Sequence, residues 1–346
     1  MGSAVRTQPT WAPAAPGRRP RGRASVAVAS APAARAVRCR AMERPPTVRT
    51  VTIPFADLKE RDKDLGDEIE EGLGPHGLGI ISIADLCGEC IPHRDRIFSY
   101  LCAEILGPSL FARIASLPED VKKQLEDPDS RYNFGWSHGK EKLESGKLDT
   151  FKGSFYANPV FNAPTTDDVL VSRYPSYCRP NIWPTDHLPE LEIAFKALGK
   201  LMLEVGLMLA HHCDRYGLTS GLFTKNSMEI PCPDNAAGLY IRTRDNRVVK
   251  VEFDENQLAY QIGETTEILS RGYLCATPHC VQAPSSEDSS NVDRSTFALF
   301  MQPDWDEKLE FPSKIPYHQE LIPPNGTLTF GEYSERLVNK YYQATP

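Results

Sequence analysis

The chain has no run of 18 consecutive apolar residues, so no segment is expected to cross a bilayer as a helix. No internal repeat is present. Nine cysteines scattered over 346 residues make no disulfide framework. Cys87-Gly-Glu-Cys90 is a lone CxxC without a second pair, which argues against zinc and leaves free thiols in a reducing compartment. Residues 1–42 lack any acidic residue, carry eight arginines, and are otherwise filled by alanine, proline and serine without a secretory core. That composition reads as an organelle transit peptide of chloroplast type, processed around Val37–Ala41, with a basic anion-binding tail as the alternative. Its removal takes eight of the 39 basic residues and leaves 31 against 46 acidic ones, a net charge of about −15. Nothing basic then favours nucleic acid or an anionic membrane.

The remaining 300 or so residues suffice for one large or two modest domains. Val51–Phe55 reads as a short strand. Asp64–Leu73 reads as a helix with apolar Leu65, Ile69 and Leu73, ended by Gly74 and Gly77, and Leu78–Ile83 as a buried strand. Helices are predicted over Pro92–Leu106 and Leu110–Leu125. Tyr132–Pro159 is rich in glycine and aromatic residues, and Trp136, His138 and Lys140 within it are candidate substrate contacts or parts of a packed connector. Leu188–Tyr216 is the clearest helix, with Leu191, Phe195, Leu198, Met202, Val205, Leu209 and His212 recurring at steps of three and four. Strands follow over Gly238–Arg242, Arg247–Phe253, Leu258–Ile262, Leu274–Thr277 and Thr296–Met301, and Thr329–Tyr342 has helical spacing.

The stretch Gln257–Pro303 carries the chemistry. His279 sits just before a polar loop, and Arg294 opens the strand after it. Arg294 and Thr296 are two residues apart, so on a strand both point to one face. A neutral imidazole is a metal ligand, and a guanidinium fork suits a carboxylate.

The pattern IGE…EILSRG…ATPHCV…R-x-T-FALFMQP resembles the C-terminal half of the iron(II)/2-oxoglutarate-dependent dioxygenases, in the branch similar to isopenicillin N synthase, of plant or algal plastid type. The resemblance runs from about Thr50 to Pro303. It implies an α+β fold: a double-stranded β-helix (jelly-roll) core, a helical N-terminal domain and a long buttressing helix. It implies a non-haem dioxygenase N-terminal domain over 50–180, the buttressing helix and β-helix over 188–303, and a C-terminal extension over 304–346. His279, in Pro278-His279-Cys280-Val281, corresponds to the family's last metal ligand. Arg294 and Thr296, with threonine for the usual serine, correspond to the pair that holds the C5 carboxylate of 2-oxoglutarate. The implied cofactors are Fe(II) and 2-oxoglutarate, and the implied partner is a small-molecule substrate; the location expected from the transit peptide is the plastid stroma.

The resemblance also implies a His-x-Asp pair on an earlier strand, supplying the first two ligands. The joint where it belongs, Gly217–Ala236, contains no histidine. His212-Cys-Asp214 and His93-Arg-Asp95 match the pattern, but both fall in predicted helices, where residues i and i+2 diverge by about 200°. Glu229 and Asp234 are the carboxylates of the joint, neither beside a histidine. The expectation is an incomplete β-helix, lacking an internal segment as a skipped exon would leave it, in a non-catalytic or truncated isoform. The alternatives are an active dioxygenase with a non-standard ligand set, and a non-enzymatic binding or interaction protein.

Overall fold

The computed structural model describes residues 45–86, 110–142, 147–150, 152–213, 220–225, 228–229, 236–254, 257–282, 293–311, 319–323 and 326–341. The arginine-rich segment 1–42, Cys87, Cys90, the helix expected over Pro92–Leu106, Asp214 and Asp234 lie outside these residues.

In chain order come β1 (Thr47–Arg49), β2 (Val51–Pro54), the helices Phe55–Lys59 and Gly66–Leu73, and β3 (Ile80–Ala84). The helices Leu110–Ala115 and Glu119–Gln124 follow, then the hairpin β4 (Gly135–His138) and β5 (Gly153–Tyr156), the helices Asp168–Arg173 and Pro175–Cys178, and the long helix Glu190–Cys213. Next are β6 (Ser220–Lys225), β7 (Met228–Glu229), β8 (Gly238–Arg242), β9 (Val248–Glu252), β10 (Leu258–Gln261), the helix Glu264–Leu269, β11 (His279–Gln282) and β12 (Asp293–Phe297). β13 (Lys308–Glu310), β14 (Thr327–Thr329) and the helix Phe330–Tyr341 complete the order.

Two sheets frame the centre. One runs β1-β9-β8-β11, and the other β10-β3-β2. β3 reads IISIA, apolar apart from Ser82, because it is the middle strand, parallel to β2 and antiparallel to β10. The twofold alternation of a strand divides β3 and β10 between two neighbours. Ile81, Ile83, Leu258 and Tyr260 face the main core, which they share with Leu191, Phe195, Leu198, Met202, Val205 and Leu209 of the long helix. Ile80 and Ala259 face the other way and pack with Ile241, Val249 and Val251 of the four-stranded sheet. The two sheets therefore lie face to face over a thin apolar layer. β12-β6-β7 forms a third sheet, and the described strands do not close into a barrel.

The stripe predicted along the long helix is the buried one, and Tyr260 ties it to β10 by donating its hydroxyl to the Met202 carbonyl at 3.2 Å. Gly79 joins the first helices to this core. Its φ of +69° is a left-handed conformation, and an added Cβ would meet the Cys275 carbonyl oxygen at 2.6 Å.

Three expected elements differ. The helix predicted over Leu110–Leu125 breaks into Leu110–Ala115 and Glu119–Gln124, because Pro118 has no N–H to give the first and is set for the second as its N-cap residue. Leu274–Thr277 is not a strand: the Cys275 N–H goes to the Leu73 carbonyl and the Ala276 N–H to the Glu267 carboxylate, so the ladder starts only at His279. The strand described there is Asp293–Phe297 rather than Thr296–Met301, its pairs with β6 running from Asp293 opposite Thr224 to Phe297 opposite Ser220. The joint Gly217–Ala236 also holds more than expected, with β6 paired to both β12 and β7.

Candidate functional site

His279 is the first residue of β11, directly opposite Ile241 of β8. Opposed residues on neighbouring strands share a face, and Ile241 points into the layer between the two sheets, so His279 does as well. Across that layer, Gln261 lies on the same face of β10 as Ala259, two residues away. The two meet: Gln261 Nε2 is 3.0 Å from His279 Nδ1, and the Thr277 carbonyl oxygen is 3.1 Å from the same nitrogen. Burial pushes the imidazole below its ordinary pKa, partly offset by the hydrogen bond to Thr277. The ring is therefore neutral at neutral pH, the form that donates a lone pair to a metal. Val281 is two residues further along β11, on the same face, and 49% exposed, so the layer opens toward solvent at this edge.

Arg294 and Thr296 lie on β12, opposite Phe223 and Gly221 of β6, and their alternation places them on one face of that strand. They belong to a different sheet from His279. Thr296 is half-buried.

The rejected pair containing His212 has a structural role. His212 lies in the long helix, and its Nε2 bonds the Leu58 carbonyl at 3.1 Å, fastening the helix Phe55–Lys59 to it. Glu229 lies in β7 opposite Thr224. Trp136 and His138 lie on β4 and Lys140 just beyond it; Trp136 is buried, Lys140 half-buried and His138 exposed. The Trp136 indole is buried in the main core, and His138 Nε2 meets the Thr150 carbonyl at 3.1 Å. Lys140 Nζ pairs with Glu126 at 3.0 Å and sits 4.6 Å above the Tyr132 ring.

A second polar cluster lies just beyond β10 and was missed by sequence reasoning. Glu264 and Glu267 of the helix Glu264–Leu269 are both buried. Glu267 is held at 2.5 Å by Arg244 from the turn after β8, and accepts from the Ala276 N–H at 2.7 Å. Arg244 also donates to the Ala276 carbonyl at 3.2 Å. Glu264 lies near Tyr333 of the helix Phe330–Tyr341, and burial pushes its carboxyl up to about 7. The signal for Gln261, Glu264 and Glu267 was available in the sequence: polar residues inside LAYQIGETTEIL, a stretch otherwise dense in buried positions.

Three ligands would be needed for the iron site that the sequence implies, and His279 is the one the described residues place on an inward strand face. Among the described residues no three His, Cys, Asp or Glu side chains are grouped to hold a metal, so those residues do not by themselves make up such a site.

No family model matches the chain, and no curated protein matches it in sequence. Its fold is similar to those of solved oxygenases. The full-length T7H of Neurospora crassa, in complex with alpha-KG, superposes with a TM-score of 0.51 at 18% identity, covering 84% of this chain and 94% of that one. A putative 2OG-Fe(II) oxygenase family protein from Caulobacter crescentus gives 0.52 at 14% identity, covering 84% and 99%. JOX2, in complex with 2OG, Fe and JA, gives 0.51 at 13% identity, covering 89% of each chain.

Proposed function

We propose that this chain descends from the iron(II)- and 2-oxoglutarate-dependent oxygenases acting on small molecules, and that it retains the 2-oxoglutarate end of the site while its metal end is incomplete. The observation that carries this reading is His279, held neutral on the inward face of β11 in a fold similar to solved 2-oxoglutarate oxygenases. The cofactors in the complexes of T7H and JOX2 are the ones the reading assigns to its ancestry. In the reading, Arg294 binds the distal carboxylate of 2-oxoglutarate through paired hydrogen bonds, with the Thr296 hydroxyl beside it. Iron(II) supplies oxygen activation where two imidazoles and a carboxylate hold it with positions left open. A lone imidazole does not provide that, and His212 is already engaged with the Leu58 carbonyl. The chain is accordingly read as a non-catalytic member whose residual activity is dicarboxylate binding, located in plastids by its arginine-rich, acid-free first 42 residues.

The test is anaerobic titration of the full chain with iron(II) and 2-oxoglutarate, monitored for the visible charge-transfer band of the ternary complex, with His279→Ala as control. The expected result is no band, with 2-oxoglutarate binding that Arg294→Ala weakens by tenfold or more, about 1.4 kcal/mol or above. A band that disappears in His279→Ala would mean that other ligands complete the site. The chain would then be an active dioxygenase with a non-standard ligand set.

A further inference from the structure

We propose that Gln261 is a positioning residue for His279: with the Thr277 carbonyl it holds the imidazole with its hydrogen on Nδ1, leaving the lone pair on Nε2. The inference rests on the reading of His279 as the surviving ligand of an oxygenase site, and it concerns the state of that ligand before any metal arrives.

The argument starts from a conflict at one atom. Nδ1 lies 3.0 Å from the Gln261 amide nitrogen and 3.1 Å from the Thr277 carbonyl oxygen. An amide NH₂ only donates, and a carbonyl oxygen only accepts, so a single Nδ1 cannot satisfy both. The Thr277 carbonyl is fixed in the backbone of a residue that is 1% exposed, and no rotation turns it into a donor. Placing the hydrogen on Nε2 would set two lone pairs against each other at 3.1 Å and leave that buried carbonyl without its donor. Gln261 has the freedom that Thr277 lacks. Its amide oxygen and nitrogen are nearly equal in size, and a half-turn about the last torsion presents Oε1 to the same hydrogen. With Nδ1–H shared between Thr277 O and Gln261 Oε1, the ring nitrogen donates and both oxygens accept.

The two acceptors also fix the ring plane. Thr277 holds it from within its own strand approach, and Gln261 from the facing sheet, through β10. Gln261 is itself held by alternation. Its neighbour Tyr260 is anchored to Met202 on the opposite face, so a shift of register would turn the amide into the main core. Nε2 then carries the lone pair of a neutral imidazole, the arrangement in which a histidine whose other nitrogen donates to a carbonyl binds metal.

The test reads the tautomer directly. The ¹⁵N-labelled full chain is examined by long-range ¹H–¹⁵N correlation at pH 7.5, with His279→Ala assigning the ring. Wild type is expected to show a protonated-type shift at Nδ1 and an unprotonated-type shift at Nε2. Gln261→Glu, whose carboxylate only accepts, keeps that pattern. Gln261→Met keeps the tautomer through Thr277 but broadens the ring signals, because one of two restraints is gone. An Nε2–H pattern in wild type that reverses in Gln261→Glu would overturn the assignment. Sharp, wild-type-like signals in Gln261→Met would overturn the positioning role of Gln261. Backbone amide spectra confirm that each variant is folded, and if the methionine variant is not, wild type and the glutamate variant still decide the tautomer. Adding cobalt(II) separates this inference from the reading beneath it. The expected tautomer without paramagnetic broadening at His279 leaves the inference standing and removes the ligand role.

Discussion

Glu264 should make this protein less stable as pH rises from acid to neutral, the reverse of ordinary acid denaturation. Glu264 is 7% exposed and lies near Tyr333, Glu267, Glu320 and Lys340. Burial dominates and raises its pKa from 4.5 to about 7. The folded state therefore holds this proton more tightly than the unfolded chain does. Stability linked to the group is fully present below pH 4.5, falls as pH rises, and is lost above pH 7. The span of about 2.5 units at 1.36 kcal/mol each corresponds to about 3 kcal/mol. That is a large share of the 5–15 kcal/mol typical of a folded domain. The perturbation is Glu264→Gln, which cannot ionise. Urea unfolding, followed by far-ultraviolet circular dichroism, would be run on both proteins at pH 5, 6, 7 and 8. The difference between them cancels every other titrating group. It should be about 1 kcal/mol at pH 5 and grow to about 3 kcal/mol in favour of the variant at pH 8. A difference that does not change with pH would refute the reasoning, and would mean that the carboxylate ionises at no cost in the folded state.

Other substitutions test the frame around the site. Tyr260→Phe removes the buried bond to the Met202 carbonyl and should cost about 1 kcal/mol in urea unfolding. Gly79→Ala forces an alanine into a φ of +69° with its Cβ 2.6 Å from the Cys275 oxygen, and should cost well over about 1 kcal/mol, read as a lowered urea midpoint. His212→Ala should lower stability by about 1 kcal/mol through loss of the Leu58 bond, while cobalt(II) binding measured by calorimetry is unchanged.

What the sequence made legible was periodic and local. The long helix showed its buried stripe at steps of three and four, and β8 fell on Gly238–Arg242 as read, because GLYIR is a β-prone run closed by a turn. Errors arose where long-range partners decide. Leu274–Thr277 has the composition of a strand, but its N–H groups are taken by Leu73 and Glu267, partners that composition does not reveal. β1 was not foreseen because its pairing is with β9, some 200 residues away, as Val48 opposite Val251 shows. The contact of Gln261 with His279 was invisible for the same reason. Gln261 sits 18 residues from His279 in sequence, and their contact follows only when β10 and β11 are known to lie in facing sheets.

The strands that fold this chain and the residues that would do its chemistry are largely separable. The main core joins Ile53, Ile81, Leu258 and Tyr260 to the long helix and extends to Phe297 and Leu299, so β2, β3, β10 and the end of β12 are secured without any ligand residue. The β6–β7 hairpin adds pairing for β12 from the joint itself. His279 is attached more lightly, at the edge of a sheet whose inward face is a thin layer of Ile80, Ile241, Val249, Val251 and Ala259. A chain built this way can lose metal ligands without losing the contacts that hold its core. Such contacts cost several kcal/mol when removed, whereas a ligand residue at an edge costs little unless it leaves a buried partner unpaired. His279 does have such partners in Gln261 and the Thr277 carbonyl. That local demand gives the histidine a structural reason to stay whether or not a metal ever reaches it.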